Sequence, residues 1–252
     1  MNHLFDPCEP VSALSHLVAA LVAIALTPLL LRRHRGHASH QAAVGIYSFS
    51  LVFLLAMSGI YHTQYHGNVG RTTFQHFDHA GIWLLIAGSF TPPHVILFRG
   101  RWRWLPLVIV WTGALIGMSL KLFLPIDAIP KPLSFSMYFA LGGFGAVSGI
   151  KLMQRYGLAV ARVLLACGAI YGIGAVFFFA LRLPGEIVPG FGYHELWHLA
   201  VVGGAACHWI FVYQIGALEP MPEPVPLPLP VAPPVTLPSP GLAPAPGLAR
   251  VQ

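Results

Sequence analysis

Seven long apolar runs divide this chain, at residues 11–31, 42–61, 79–98, 104–124, 133–150, 158–181 and 193–218. Each approximates the length of about 20 residues that a helix needs to cross bilayer hydrocarbon. In lipid, backbone N–H and C=O groups find no water, so they pair within a helix or within a closed barrel. The runs are too long for barrel strands and lack their two-residue alternation. Composition agrees. The chain is 56% hydrophobic and only 9% charged, where soluble domains carry about 25% charged residues. The expected fold is therefore an all-α integral membrane protein, a seven-transmembrane helix bundle forming one domain over residues 1–218. Runs four, five and six contain "GALIG", "GAVSG" and "GAIYG", and small residues at that spacing let helices approach closely.

From residue 219 the chain reads "EPMPEPVPLPLPVAPPVTLPSPGLAPAPGLARVQ". Proline at this density cannot continue a helix and favours extended polyproline conformations, so residues 219–252 are expected to form a disordered tail. Net charge is +6, but the cations stand in short clusters between apolar runs and form no basic domain. That argues against a nucleic-acid partner. Their distribution predicts orientation. Ten Lys and Arg residues fall on the face reached by loops 1–2, 3–4, 5–6 and the tail, and four (Arg71, Lys121, Lys131 and Arg182) on the other. The positive-inside rule then predicts a multi-pass protein of the plasma or inner membrane, with its N-terminus outside and its C-terminus cytoplasmic. The start, "MNHLFDPCEP", has no basic segment and the first run ends in "RRHR", so no removable signal peptide is expected. Cys8, Cys167 and Cys207 are odd in number and far apart, and give no disulfide framework.

Ionisable groups in membrane helices cost roughly 2.5–3.5 kcal/mol or more near the bilayer centre and so point to function. Loop alternation brings several to one depth, near the N-terminal face. Glu9 and His16 open run one, Ser58 and His62 close run two, Asp78 opens run three, and His194 and His198 open run seven. Side chains at i and i+4 share a helix face, so His194 and His198 can hold one metal, and Ser58 points where His62 points. A catalytic zinc takes three protein ligands and a water, which His62, His194 and His198 would supply. Asp78 would then hold that water or take its proton. Each residue alone also has a plainer reading: His62 as an interfacial histidine, Asp78 as the N-cap of run three, Ser58 as an interhelical hydrogen bonder. The set together favours a metal. His208, ten residues beyond His198, lies roughly 15 Å deeper along the helix and reads as a core or far-interface histidine.

"HELWH" also matches H-E-x-x-H, in which Glu195 would be the base of a metalloprotease. An intramembrane protease of that type would need a further acidic ligand from another membrane helix, and no segment of that kind is visible.

"SGIYH", "FDHAGIWLLIAGSFTP", "WTGALIGMSLK", "GAIYGIGAVFF" and "HELWHLAVVGGAACHW" resemble the hemolysin III branch of the progestin and adipoQ receptor (PAQR) family. The resemblance runs from about Glu9 to Tyr213, and the wider superfamily includes alkaline ceramidases. It implies Zn2+ on His62, His194 and His198, with Asp78 on the zinc-bound water and Ser58 beside it. It implies a membrane lipid as substrate or ligand: hydrolysis of an amide-linked lipid in some members, a receptor role in others. A non-enzymatic receptor and a membrane-perturbing hemolysin with structural zinc therefore stand beside the hydrolase. The family's first-helix pattern, E-x-x-N-x-x-T-H, appears as Glu9, Ser12, Ser15 and His16, with serines replacing Asn and Thr.

Overall fold

The computed structural model describes residues 9–65 and 67–222, so Cys8, His66 and the tail from residue 223 lie outside the described residues. Eight α-helices build seven spans: α1 (Pro10–Arg33), α2 (Ala38–Thr63), α3 (Val69–Ile96), α4 (Arg101–Phe123), α5 (Lys131–Gly143), α6 (Gly145–Tyr156), α7 (Leu158–Ile173) and α8 (Tyr193–Ile215). The fifth span is α5 followed by α6, broken at Phe144. The sixth is α7 continued by a π-helical segment, Gly174–Ala180. A small antiparallel hairpin, β1 (Glu186–Val188) and β2 (Phe191–Gly192), leads into α8. Six of the spans are long and apolar enough to cross a membrane on those grounds alone.

The remaining span, α3, is the longest helix at 28 residues and starts ten residues before the apolar run. Its apolar run is diluted by His79, Pro92, Pro93 and His94, so it falls short on length and apolarity alone. Asn68 caps it, its side chain accepting the Gly70 N–H at 2.9 Å. Asp78 is thus inside α3 and is not its N-cap, contrary to the plainer reading of that residue.

Prolines inside helices remove an N–H and leave the carbonyl four residues earlier without its partner. Two histidines repair such breaks. Pro93 frees the Ser89 carbonyl, which accepts from His208 Nε2 of α8 at 3.2 Å. Pro106 frees the Trp102 carbonyl, which accepts from His94 Nδ1 at 2.8 Å, while His94 Nε2 meets Ser148 Oγ at 3.0 Å. His208 is therefore a core residue with a definite structural task.

In the bundle α2 packs along α1 and α3, α3 along α4, and α8 against α7 and α1. Tyr47, Leu51 and Leu55 meet Phe211, Val212 and Ile215 in the main core, and Trp83, Ala87 and Phe90 meet Val110 and Ala114 in a second. The spans α5–α6 and α7 turn Leu133, Phe139, Val147, Leu158 and Leu165 outward, as lipid-facing helices do. The glycine pairs differ in use. A Cβ on Gly117 of "GALIG" would stand 2.2 Å from the Trp83 indole, whereas Gly168 and Gly172 of "GAIYG" face open space. The third motif packs through its other residues, Ile170 and Tyr171 lying against Gly203 and Gly204 of α8.

The first residues of the tail, 219–222, form neither helix nor strand and are tied to the bundle. Met221 N–H donates to the Leu97 carbonyl at 2.7 Å, and Tyr156 Oη donates to the Glu219 carbonyl at 2.6 Å.

Candidate metal centre

The end of α2 and the start of α8 meet at the face opposite the arginine-rich loops. Tyr193 N–H donates to the Gly185 carbonyl at 2.9 Å, so the hairpin fixes where α8 begins and where His194 and His198 stand. At Gly59 a Cβ would lie 2.7 Å from Leu17. The missing side chain lets α1 approach α2 just before His62.

One ring nitrogen each of His62, His194 and His198 lies within 4.8 Å of the others, close enough for the trio to hold one metal ion. His194 Nε2 and His198 Nε2 are 3.2 Å apart, and the His62 ring centroid is 4.4 Å from that of His198. His62 and His198 are buried, while the His194 side chain is 38% exposed and leaves the cluster open on one side.

The groups around the trio show that it suits a cation. Glu9, at the N-cap of α1, places Oε2 against His62 Nδ1 and 2.9 Å from His194 Nε2. Neither Glu9 Oε2 nor His62 Nδ1 has a partner in hydrogen-bond geometry, although both atoms are buried. Buried polar atoms are normally paired, so a carboxylate lying unpaired against the imidazoles gives the trio a negative neighbour that suits a bound cation. Burial favours the neutral Glu9 carboxyl, but His194 and His62 outweigh it and hold the group well below the usual carboxylate range. Its other oxygen, Oε1, is 3.3 Å from Arg71 Nη2. Arg71 also donates to the Gln64 carbonyl and stacks over Tyr61 at 4.6 Å.

On the opposite flank, His16 Nε2 lies 3.1 Å from His198 Nδ1 and 3.3 Å from the His198 carbonyl. The Nδ1 side of His198 is thus held by α1, which leaves Nε2 to face His194. Metal-binding histidines are usually oriented in this way through their second nitrogen.

The other expected site residues are placed less directly. Ser58 is buried one turn before His62. Asp78 is partly buried on α3, within electrostatic reach of His16 and His194, but it is not one of the groups that meet in the trio. Glu195 faces away. Its Oε2 accepts the Gly192 N–H at 2.8 Å, and Ser12 Oγ donates to Oε1 at 3.5 Å. This is one half of a capping box, the N3 carboxylate accepting the N-cap N–H while the N-cap glycine has no side chain to return the bond, and it commits the carboxylate that a protease would need as its base.

Sequence spacing missed how closely Glu9, His16 and Arg71 surround the histidines. Glu9 and His16 were legible as the first and last letters of the first-helix pattern. Arg71 carried no signal beyond being one of the few cations on its face.

The model for "Haemolysin-III related" proteins matches residues 7–209. The chain belongs to that family. It is 34% identical to Hemolysin-3 of Bacillus cereus over 200 residues, covering 79% of this chain and 87% of that protein. It is 28% identical to the Hemolysin-3 homolog of Bacillus subtilis over 200 residues, 79% and 89% of the two chains. Heptahelical transmembrane protein 1 of Arabidopsis thaliana is 26% identical over 226 residues, 80% of this chain and 67% of that protein. The match covers six membrane segments, reaches into the seventh and includes every residue of the histidine cluster, so this haemolysin-III-related chain is a multi-pass all-α membrane protein with a three-histidine site able to hold a metal.

Proposed function

We propose that the chain is a zinc-dependent hydrolase of an amide-linked membrane lipid. The observation that carries this reading is the meeting of His62, His194 and His198 from two helices remote in sequence, with His194 still open to the surroundings. Three imidazoles with an open fourth position are the donor set of catalytic zinc sites. When bound, zinc would supply a water acidified to a pKa of about 7 and a positive charge for a developing oxyanion. His16 orients His198, and Glu9 sets the charge beside His62 and His194. Asp78 would take the proton of the attacking water and return it to the leaving amine, and the Ser58 hydroxyl would orient that water or the developing oxyanion. The trio lies at the ends of membrane helices, where lipid linkages and headgroups lie, so a lipid reaches it from the side. The arginine distribution supports placing this face outside, with the N-terminus.

The test uses purified protein, metal analysis and fatty-acid release from a panel of ceramides. Zinc lost in His198→Ala, with zinc kept but turnover lost in Asp78→Ala, supports the hydrolase. Absence of turnover by the wild type on every lipid, with lysis or signalling intact in Asp78→Ala, sinks it. The name Hemolysin-3 on the two Bacillus relatives favours that second reading, a membrane-perturbing protein or receptor in which the metal only braces α2 and α8.

A further inference from the structure

Lys121 stands apart from the histidine cluster, on the seam where α3, α4 and α5 meet. It lies in the last turn of α4 and is only 6% exposed. Its Nζ donates to Ser134 Oγ on α5 at 3.0 Å. An ammonium carries three donors, and a single hydroxyl satisfies one of them and none of the charge. The ion pairs among the described residues all involve Glu9. The helix dipole favours a cation at this turn, but that attraction is smaller than the desolvation it would have to offset.

The seam has two layers, one helical turn apart. In one layer, Trp83 of α3 lies flat on α4 at Gly117 and meets the Tyr138 ring of α5 at 4.6 Å between centroids. In the other, each helix contributes the residue one turn away: His79, Lys121 and Ser134. Trp83 is 3% exposed, yet its Nε1 has no hydrogen-bond partner, and neither has the buried Nδ1 of His79. A buried indole N–H normally finds an acceptor. Lys121 thus has no carboxylate in contact, Asp127 reaching it only through space, and it shares the seam with an indole N–H that stands beside the Tyr138 hydroxyl without a well-formed hydrogen bond.

We propose that this seam is a binding subsite for an anionic oxygen group, a carboxylate or a phosphate, with Lys121 supplying the charge and Trp83 Nε1 a hydrogen bond. The subsite stands whether or not the histidine trio holds zinc, since no residue is shared.

The test is native mass spectrometry of the full chain in a neutral detergent, with dodecanoate, dodecyl phosphate or dodecanol added. The anionic amphiphiles should be retained and dodecanol should not. Lys121→Met should weaken retention by at least about tenfold, as expected for loss of a hydrogen bond to a charged group. Trp83→Phe should weaken it to a lesser degree, and Lys121→Arg should restore most of it. Inorganic phosphate that displaces dodecyl phosphate at equal concentration would identify the ligand as a free anion; failure to displace it would identify a lipid headgroup. Zinc content measured on the same samples should not change. Retention of both amphiphiles by folded Lys121→Met and Trp83→Phe at wild-type levels would overturn the proposal and leave Lys121 as a structural cap of α4.

Discussion

With Oε2 taken by the Gly192 N–H and Oε1 facing Ser12, the Glu195 carboxylate holds the first turn of α8 against α1. Glu195→Ala should therefore lower thermal stability by about 0.5–2 kcal/mol, the usual cost of a lost helix cap, with bound metal unchanged by elemental analysis. Metal lost in step with that substitution would mean that the carboxylate serves the cluster after all. Glu9 should behave in the opposite way. Glu9→Gln keeps the shape but removes the charge that touches His62 and His194. Metal affinity, titrated against a competing chelator, should fall by about 10–100-fold. The i, i+4 spacing made His194 and His198 legible as a pair, and depth alone suggested His62. Roles of Glu9 and Glu195 were not legible, because nothing in a linear spacing says which way a carboxylate at a helix start turns.

At the scale of elements, prolines and histidines are coupled across helices. His208→Ala should leave the Ser89 carbonyl without a donor and destabilise by about 1–3 kcal/mol. Adding Pro93→Ala restores a helical N–H to that same carbonyl. The double variant should recover part of the loss, and unfolding midpoints of the two single variants and the double would show it as non-additivity. Strictly additive losses would disprove the coupling. All seven spans were readable as apolar runs because lipid selects for them. The start of α3 was not, since its polar first turns are specified by the Asn68 cap. "GAIYG" meets α8 through Ile170 and Tyr171 and not through its glycines, because the spacing of small residues is visible in sequence whereas the side of the helix that meets a neighbour is not.

For the whole molecule, a metal on the trio ties α2 to α8 and, through Glu9 and His16, draws in α1. A ligand present at 100 times its Kd adds about 2.7 kcal/mol to the folded state. Stripping the wild type with a chelator should lower its melting temperature, and zinc should restore it. His198→Ala should melt at the same temperature with or without chelator. A wild type indifferent to chelator would exclude a metal at this position. The overall architecture was legible because seven apolar runs leave few alternatives. Which ends converge on one centre depended on helix order around the bundle, which no single run encodes.

α1 packs against α8, and this neighbour relation sets a constraint in time. The chain emerges from the ribosome N-terminus first, so Glu9, His16 and His62 enter the membrane long before His194 and His198 exist. The centre cannot assemble until the last span is inserted. A nascent or truncated chain ending before residue 193 would carry one histidine of the three, so the protein would reach the membrane metal-free and be loaded only once complete.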